Sequence, residues 1–300
     1  MAPLPGRRLS ATVVAIFGPT ASGKTAIAEA LADRLETEVV SADAMQAYRG
    51  LPILTNQPER PTRLVGIWPL SHGGSVGEYE RLAHEAIDGL VARTGHAVVA
   101  GGTGLYLRAA LATLELPPAL SSEVRARWEQ AYDAEPAAAY ATLAERDPRA
   151  AALVHANDRR RVVRALELNE AGASLAPEAD RLWSSETRWP TLVVGLDVPP
   201  DELERRIVAR TAEMFERGVV DEVRAVLPGR VSRTAEKALG LREIAELPAD
   251  EAQQRIVKRT RQYAAYQRKW MRRIPGLVPV DATRPAAEVV DAILEVACAR

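Results

Sequence analysis

The chain has 300 residues, 47% hydrophobic and 26% charged, with a formal net charge of −1. That suffices for one large α/β domain or two smaller ones, and it restricts any polyanion site to a local patch. A single cysteine, Cys298, excludes a disulfide framework and a zinc site built from several cysteines. No run of about 18 apolar residues is available for a membrane-spanning helix. The first ten residues, with Arg7 and Arg8, lead into a strand instead of a cleavable signal. The expectation is a soluble cytoplasmic protein that uses no membrane.

Val13-Val14-Ala15-Ile16-Phe17 predicts a buried strand. It passes into Gly18-Pro19-Thr20-Ala21-Ser22-Gly23-Lys24-Thr25 and then into a helix to about residue 35. Strand, glycine-bounded loop, Lys-Thr and helix form the P-loop arrangement. Its backbone N–H groups converge on phosphate oxygens, Lys24 adds a point charge, and the Thr25 hydroxyl can bind Mg2+. An ordinary glycine turn before a helix gives no reason for Lys-Thr at that spacing. The motif names the group held, a phosphate or pyrophosphate, and not the reaction.

Residues 38–41 predict a second strand, a parallel neighbour of the first, which brings Asp43 to the carboxyl edge of the sheet where open α/β folds bind ligands. Residues 51–77, rich in proline and glycine, predict an irregular lid or substrate loop. A helix over 78–91 follows, with Leu82, Ala86 and Leu90 on one face, then a buried strand over 97–100. Gly101-Gly102-Thr103-Gly104 at its end suggests close backbone approach to a ligand. From 117 to 185 the pattern is helical only, over 122–134, 137–145, 148–154 and 159–171, with Asn157-Asp158 as an N-cap pair and Gly172 as a stop. Strand character returns at 191–196. Asp201 is expected to cap a helix that Gly218 ends, followed by a shorter helix over 219–227, a long one over about 250–273, a strand over 277–280 and a last helix over 285–299. The predicted architecture is a P-loop NTPase-like parallel α/β sheet core, residues 10–116 and 186–300, with an all-helical subdomain inserted over 117–185.

Asp43 can be read as a metal-side carboxylate, as a general base for an acceptor beside the P-loop, or as a helix N-cap without chemistry. The long helix carries Arg255, Lys258, Arg259, Arg261, Arg268, Lys269, Arg272 and Arg273 without an acid between them. Arg255, Lys258, Arg259 and Gln262 share a face, with Tyr263, Tyr266 and Trp270 nearby. This is either a phosphate-tracking surface or a solvated face. Arg159-Arg160-Arg161 with Arg164 lies at a helix N-terminus, where the dipole disfavours cations, and that favours a bound polyanion. Of Arg205, Arg206 and Arg210, any one can face the phosphate site to stabilise a leaving group; periodicity does not say which. His72, His84, His96 and His155 lack metal-ligand spacing.

Taken together these stretches resemble the tRNA dimethylallyltransferases, or tRNA isopentenyltransferases. The resemblance is carried by the P-loop, Ser41-Ala42-Asp43-Ala44-Met45-Gln46-Ala47-Tyr48-Arg49-Gly50, Gly101-Gly102-Thr103-Gly104-Leu105-Tyr106-Leu107-Arg108, Asp147-Pro148 through His155 to the Asn157–Glu167 stretch, Gly195-Leu196-Asp197, residues 206–218, and the helix around Arg261-Gln262-Tyr263 and Gln267. The matches keep family order from about residue 12 to 281. Departures include Ala44 for a usual Ser, Ala47 for a usual Val, and Leu51-Pro52-Ile53-Leu54-Thr55-Asn56-Gln57-Pro58 in place of Met-Asp-Ile-Gly-Thr-Ala-Lys-Pro.

The resemblance implies transfer of a dimethylallyl group from dimethylallyl diphosphate to the exocyclic N6 amine of adenosine 37, next to the anticodon, in tRNAs that read codons beginning with U. Gly18, Pro19, Thr20, Ala21, Ser22, Gly23, Lys24 and Thr25 would bind the diphosphate, with Mg2+ on Thr25. Thr20 and Arg210 would join Asp43 as catalytic residues, and Asp43 would accept the amine proton. Asp43, Ala44, Met45, Gln46, Thr103, Arg160, Arg161, Val162, Val163 and Arg164 match stretches that touch the tRNA. The helical insertion would grip the anticodon arm, and the enzyme is expected to be a monomer. Rival readings are an adenine-nucleotide isopentenyltransferase, a small-molecule P-loop kinase and a non-catalytic RNA-binding protein.

Overall fold

Five apolar runs pair into one all-parallel sheet in a computed structural model that describes residues 9–114, 122–176, 182 and 184–299. The strands are β1 (Val13–Phe17), β2 (Val39–Ser41), β3 (Ala97–Gly101), β4 (Thr191–Asp197) and β5 (Val278–Asp281), in the order β2-β3-β1-β4-β5. β1 is buried along its whole length, as a central parallel strand covered on both faces requires. β3 separates β2 from β1, so β2 is not the immediate neighbour the sequence suggests. Because every pairing is parallel, β2 still delivers Asp43 to the carboxyl edge. Phe17 registers with both Gly101 and Gly195, so the loops after β1 and β3 leave the sheet at one level, while β4 runs two residues further, to Asp197, beside β5.

The helices are α1 (Lys24–Arg34), α2 (Val76–Thr94), α3 (Gly104–Leu111), α4 (Ser122–Ala134), α5 (Pro136–Arg146), α6 (Pro148–Leu153), α7 (Arg159–Glu170), α8 (Pro200–Glu216), α9 (Val219–Val226), α10 (Leu241–Glu246), α11 (Ala249–Met271) and α12 (Ala286–Ala299). Ile27 and Leu31 of α1, Leu203 and Ile207 of α8, and Val289 and Ile293 of α12 pack with Val14, Ile16 and Val194 of the sheet. α8 starts one residue before Asp201, with Pro199 at its N-cap; Asp201 lies in the first turn, where its charge complements the helix dipole. Gly218, at φ 89, separates α8 from α9. α10 goes unpredicted because six residues are too few for a periodic signal.

Residues 51–57 are irregular, as expected, but they are packed down. Leu51 and Leu54 are buried with Val219 and Val223 of α9, Ile244 of α10 and Ile256 of α11. The Glu222 carboxylate of α9 accepts the backbone N–H groups of Ile53 (2.6 Å) and Leu54 (2.8 Å).

The chain divides into two compact units, Met1–Leu114 with Leu182–Arg300, and Glu115–Arg181. The expected boundary at 117 and the Arg7-Arg8 pair lie outside the described residues. The second unit holds α4 to α7 around Tyr132, Leu143, Val162, Val163 and Leu166. Asp147 caps α6 and Asp158 caps α7 through their carboxylates. In the first unit the chain is pinned where it returns from the insertion. Buried Arg108 donates to the carbonyls of Leu182 (2.9 Å) and Ser184 (2.7 Å), and Arg188 N–H donates to Leu111 O (2.9 Å).

A Cβ on Gly101 would run into the Ala42 carbonyl of the neighbouring strand, whereas one on Gly89, within α2, would meet nothing. In chemical denaturation Gly101→Ala should lose about 3 kcal/mol of stability by backbone overpacking. Gly89→Ala should gain about 0.5–1 kcal/mol from helix propensity.

Candidate active site

The loop between β1 and α1 wraps a backbone nest. Ala21 (φ 63) and Gly23 (φ 88) both take the left-handed conformation around Ser22 just before α1, the backbone pattern of an anion-binding nest, and Ser22 N–H closes the turn on Pro19 O at 3.2 Å. A left-handed alanine costs about 1–2 kcal/mol, a strain the loop carries at the place where an anion would sit. The Ser22 hydroxyl is buried and has no hydrogen-bond partner. Lys24 Nζ donates to Pro19 O at 2.7 Å. Burial lowers the Lys24 pKa to about 8; the charge of Asp43 opposes that shift and Arg210 adds to it.

Asp43 follows β2 and precedes turns, so it caps no helix. Its Oδ1 accepts Met45 N–H at 3.0 Å, and the next N–H, that of Ala44, donates to Thr103 Oγ1 at 3.3 Å. The Asp43 charge also acts on Arg210, whose pKa burial lowers and Asp43 raises. On its other side it adds to the effect of burial in pushing up the phenols of Tyr79, Tyr106 and Tyr263. The charge of one carboxylate thus acts on two half-buried cations and on a set of neutral tyrosines.

The choice among the α8 arginines is settled by Glu202, which pairs with both Arg205 and Arg206. Arg210 is left to point inward, and its buried Nε has no partner. Gln46 is a strut of the following loop: its Oε1 accepts from Ser41 Oγ (2.8 Å) and its Nε2 donates to Asn56 O (2.7 Å). Met45 is partly buried against the cluster around Leu51 and Ile256. Thr20 is held by its backbone, its N–H donating to Gln267 Oε1 at 2.8 Å.

Gln267 has no role from sequence, yet it is 2% exposed and its Nε2 also donates to Gly102 O at 2.8 Å. The available signal was a polar residue on the buried stripe Ile256, Thr260, Ala264 of α11. The glycines after β3 have a different cause from the one expected. Protein, not ligand, crowds them: the Ala42 carbonyl at Gly101, the Gln267 amide at Gly102 and the Trp270 ring at Gly104.

Thr25 and Asp43 line one hollow with Lys24 and Gln46. A hydroxyl and a carboxylate are hard oxygen donors that suit Mg2+ completed by phosphate oxygens and water, so the residues fit that ion. Among the described residues no group of three or more His, Cys, Asp or Glu could hold a metal.

In the helical unit, Val162 and Val163 are core residues, so the α7 stretch presents only its arginines outward. Asp133 pairs with Arg159 (2.6 Å), Asp158 with Arg161 (3.9 Å) and Glu167 with Arg164 (3.3 Å), offsetting the unfavourable helix dipole from within. Arg160 is exposed and outside any ion pair among the described residues. On α11, Arg259 pairs with Glu243, Arg261 with Glu204 and Arg268 with Asp197. Arg255, Lys258, Lys269 and Arg272 remain exposed and outside such pairs among the described residues.

A P-loop, two half-buried cations and a carboxylate at the edge of a parallel sheet define a protein of the P-loop α/β class. Similarity narrows the class. A family profile described as IPP transferase matches residues 46–274, and one described as isopentenyl transferase matches residues 11–62. The chain is 40% identical over 277 residues to tRNA dimethylallyltransferase of Streptomyces avermitilis, covering 88% of each chain. It is 40% identical over 294 residues to that of Salinispora tropica, covering 92% of this chain and 91% of the relative. Among solved structures, tRNA isopentenylpyrophosphate transferase of Bacillus halodurans superposes with a TM-score of 0.68 at 29% identity over 95% of both chains. A eukaryotic dimethylallyltransferase acting on tRNA gives 0.74 at 25% identity, over 90% of this chain and 74% of that one. The chain belongs to the tRNA dimethylallyltransferase family and is a prenyl-transferring enzyme. No helix among the described residues is long and apolar enough to cross a membrane.

With its pKa near 8, Lys24 is charged at pH 7 and mostly neutral at pH 9. Affinity of the free enzyme for inorganic pyrophosphate, measured by calorimetry, should therefore fall roughly tenfold between these values. Lys24→Met should bind weakly and with little dependence on pH over the same range.

Proposed function

We propose that this enzyme transfers the dimethylallyl group of dimethylallyl diphosphate to N6 of adenosine 37, beside the anticodon, in tRNAs reading codons that begin with U. The product is N6-(dimethylallyl)adenosine, and the enzyme works as a cytoplasmic monomer. The observation that carries this reading is that Asp43 lines one hollow with Lys24 and Thr25 of the P-loop, where its charge also acts on Arg210. A kinase also needs a phosphate nest. A carboxylate opposite both cations at the nest suits a reaction in which a diphosphate leaves while an amine loses a proton.

The loop N–H groups, Lys24 and Arg210 hold the diphosphate, and their charge stabilises the negative charge that grows on it. The adenine nitrogen attacks the allylic carbon. The carbon–oxygen bond breaks and its electron pair leaves with the diphosphate. The extra proton on the new secondary amine passes to the Asp43 carboxylate. The Thr25 hydroxyl, with Asp43 beside it, would hold Mg2+, which when bound would supply further positive charge to the leaving group. The acceptor base leaves its stack to reach this edge of the sheet. Arg160, Arg161 and Arg164 of the helical unit and the exposed cations of α11 supply contacts to the tRNA backbone, as counterion-replacing side chains do.

Incubation with Mg2+, dimethylallyl diphosphate and either an anticodon stem-loop or AMP should add one dimethylallyl mass to the stem-loop alone. Gain on AMP only, or turnover of ATP instead, would overturn the proposal. Asp43→Ala should bind the stem-loop normally and lose at least about a hundredfold in transfer, the low end of general-base effects. Near-normal turnover would reduce Asp43 to a turn residue.

A further inference from the structure

The Gln267 amide acts on a part of the site that none of the residues above explains. Thr20 N–H belongs to the same peptide unit as Pro19 C=O. Gln267 Oε1 takes the N–H at 2.8 Å, and the Lys24 ammonium takes the C=O at 2.7 Å. The same carbonyl also accepts Ser22 N–H at 3.2 Å; a trans peptide is a rigid plane, so Gln267 joins that turn bond in fixing, from the other end, the orientation on which Lys24 rests. If the plane turned, the carbonyl would point away and the ammonium would lose its anchor.

The other half of the amide reaches a second loop. Gln267 Nε2 donates to Gly102 O, and the space it fills is the space a side chain on Gly102 would need. The next residue, Thr103, accepts Ala44 N–H through its hydroxyl at 3.3 Å, on the peptide that joins Ala44 to Asp43. Tyr263 stands one helical turn earlier on the same helix, α11. A neutral primary amide suits this place. It offers an acceptor and a donor in one plane and adds no charge between Lys24 and Asp43.

We propose that Gln267 is a positioning residue: it sets the distance and angle between the diphosphate held at Lys24 and the carboxylate of Asp43 without touching either substrate. The inference rests on the transfer reaction proposed above and adds the element that aligns its two halves. An in-line displacement with proton removal is sensitive to such alignment, since a displacement of about 1 Å can cost on the order of a hundredfold in rate.

Two variants test it. Gln267→Leu keeps the size and loses both bonds. It should lower kcat by roughly 30- to 100-fold on that scale, raise KM for dimethylallyl diphosphate, and leave stem-loop affinity within about twofold. Gln267→Glu keeps the acceptor for Thr20 N–H and regains the bond to Gly102 O only when its carboxyl is protonated, a form that burial favours. Its activity, taken at each pH as a ratio to that of the unsubstituted enzyme, should rise from pH 8 to pH 6. A kcat within threefold for the Leu variant, or loss of stem-loop binding in step with transfer, overturns the proposal. If the Leu variant does not fold, the Glu variant decides, and a ratio flat in pH overturns it. If the unsubstituted enzyme transfers nothing to the stem-loop, the reaction proposed above fails instead. Inorganic pyrophosphate binding then still tests the loop, and equal affinity in the Leu variant and the unsubstituted protein counts against Gln267.

Discussion

The site depends on keeping a lysine ammonium charged while it is largely withdrawn from water. Burial favours the neutral amine, and here it brings Lys24 down to about 8. Two features hold the charge in place: the Pro19 carbonyl that accepts from it and the Asp43 carboxylate across the nest. Arg210 pulls the other way, and its guanidinium is itself poorly solvated. The result is a surplus of buried positive charge with unfilled hydrogen-bonding capacity at Ser22 Oγ and Arg210 Nε. Such groups are costly to leave unpaired in a folded interior; on the transfer reaction proposed above, the diphosphate is what relieves them.

The sheet sets these groups opposite one another. β1 and β3 end level, so the nest and the Gly102-Thr103 turn leave the carboxyl edge together, with β4 running two residues further beside them. β2 sits beyond β3, yet its parallel direction brings Asp43 to the same edge. α11 closes the arrangement by reaching the turns after β1 and β3 with one side chain. Its inner face therefore orders the site while its outer face stays basic.

How much of this the sequence discloses depends on the range of the interaction. The phosphate nest is local: Lys24-Thr25 follow the glycines at fixed spacing, and backbone geometry does the rest. Asp43 is legible because strand direction carries it to the right edge whichever neighbour β2 takes. Arg210 is not legible among three arginines, since the choice turns on Glu202 claiming the other two. Gln267 is out of reach, because its partners lie 247 and 165 residues away. The glycines after β3 mislead for the same reason. A need for space is visible in the sequence, but what fills the space comes from α11. The basic run on α11 reads as one surface until folding assigns Arg259, Arg261 and Arg268 to acids on other elements.

The clamp around Arg108 has an architectural consequence. The chain leaves the sheet unit after Leu114 and returns at Leu182, where Arg108 and the Arg188–Leu111 bond fasten the returning strand to α3. Both stems of the intervening segment are therefore secured by the catalytic unit itself. Loop-closure entropy changes only slowly with length, so what lies between the stems can be lengthened, shortened or exchanged with little penalty to the sheet. The helical unit is in that sense a cassette, free to vary while the sheet that carries the loop after β1 stays as it is.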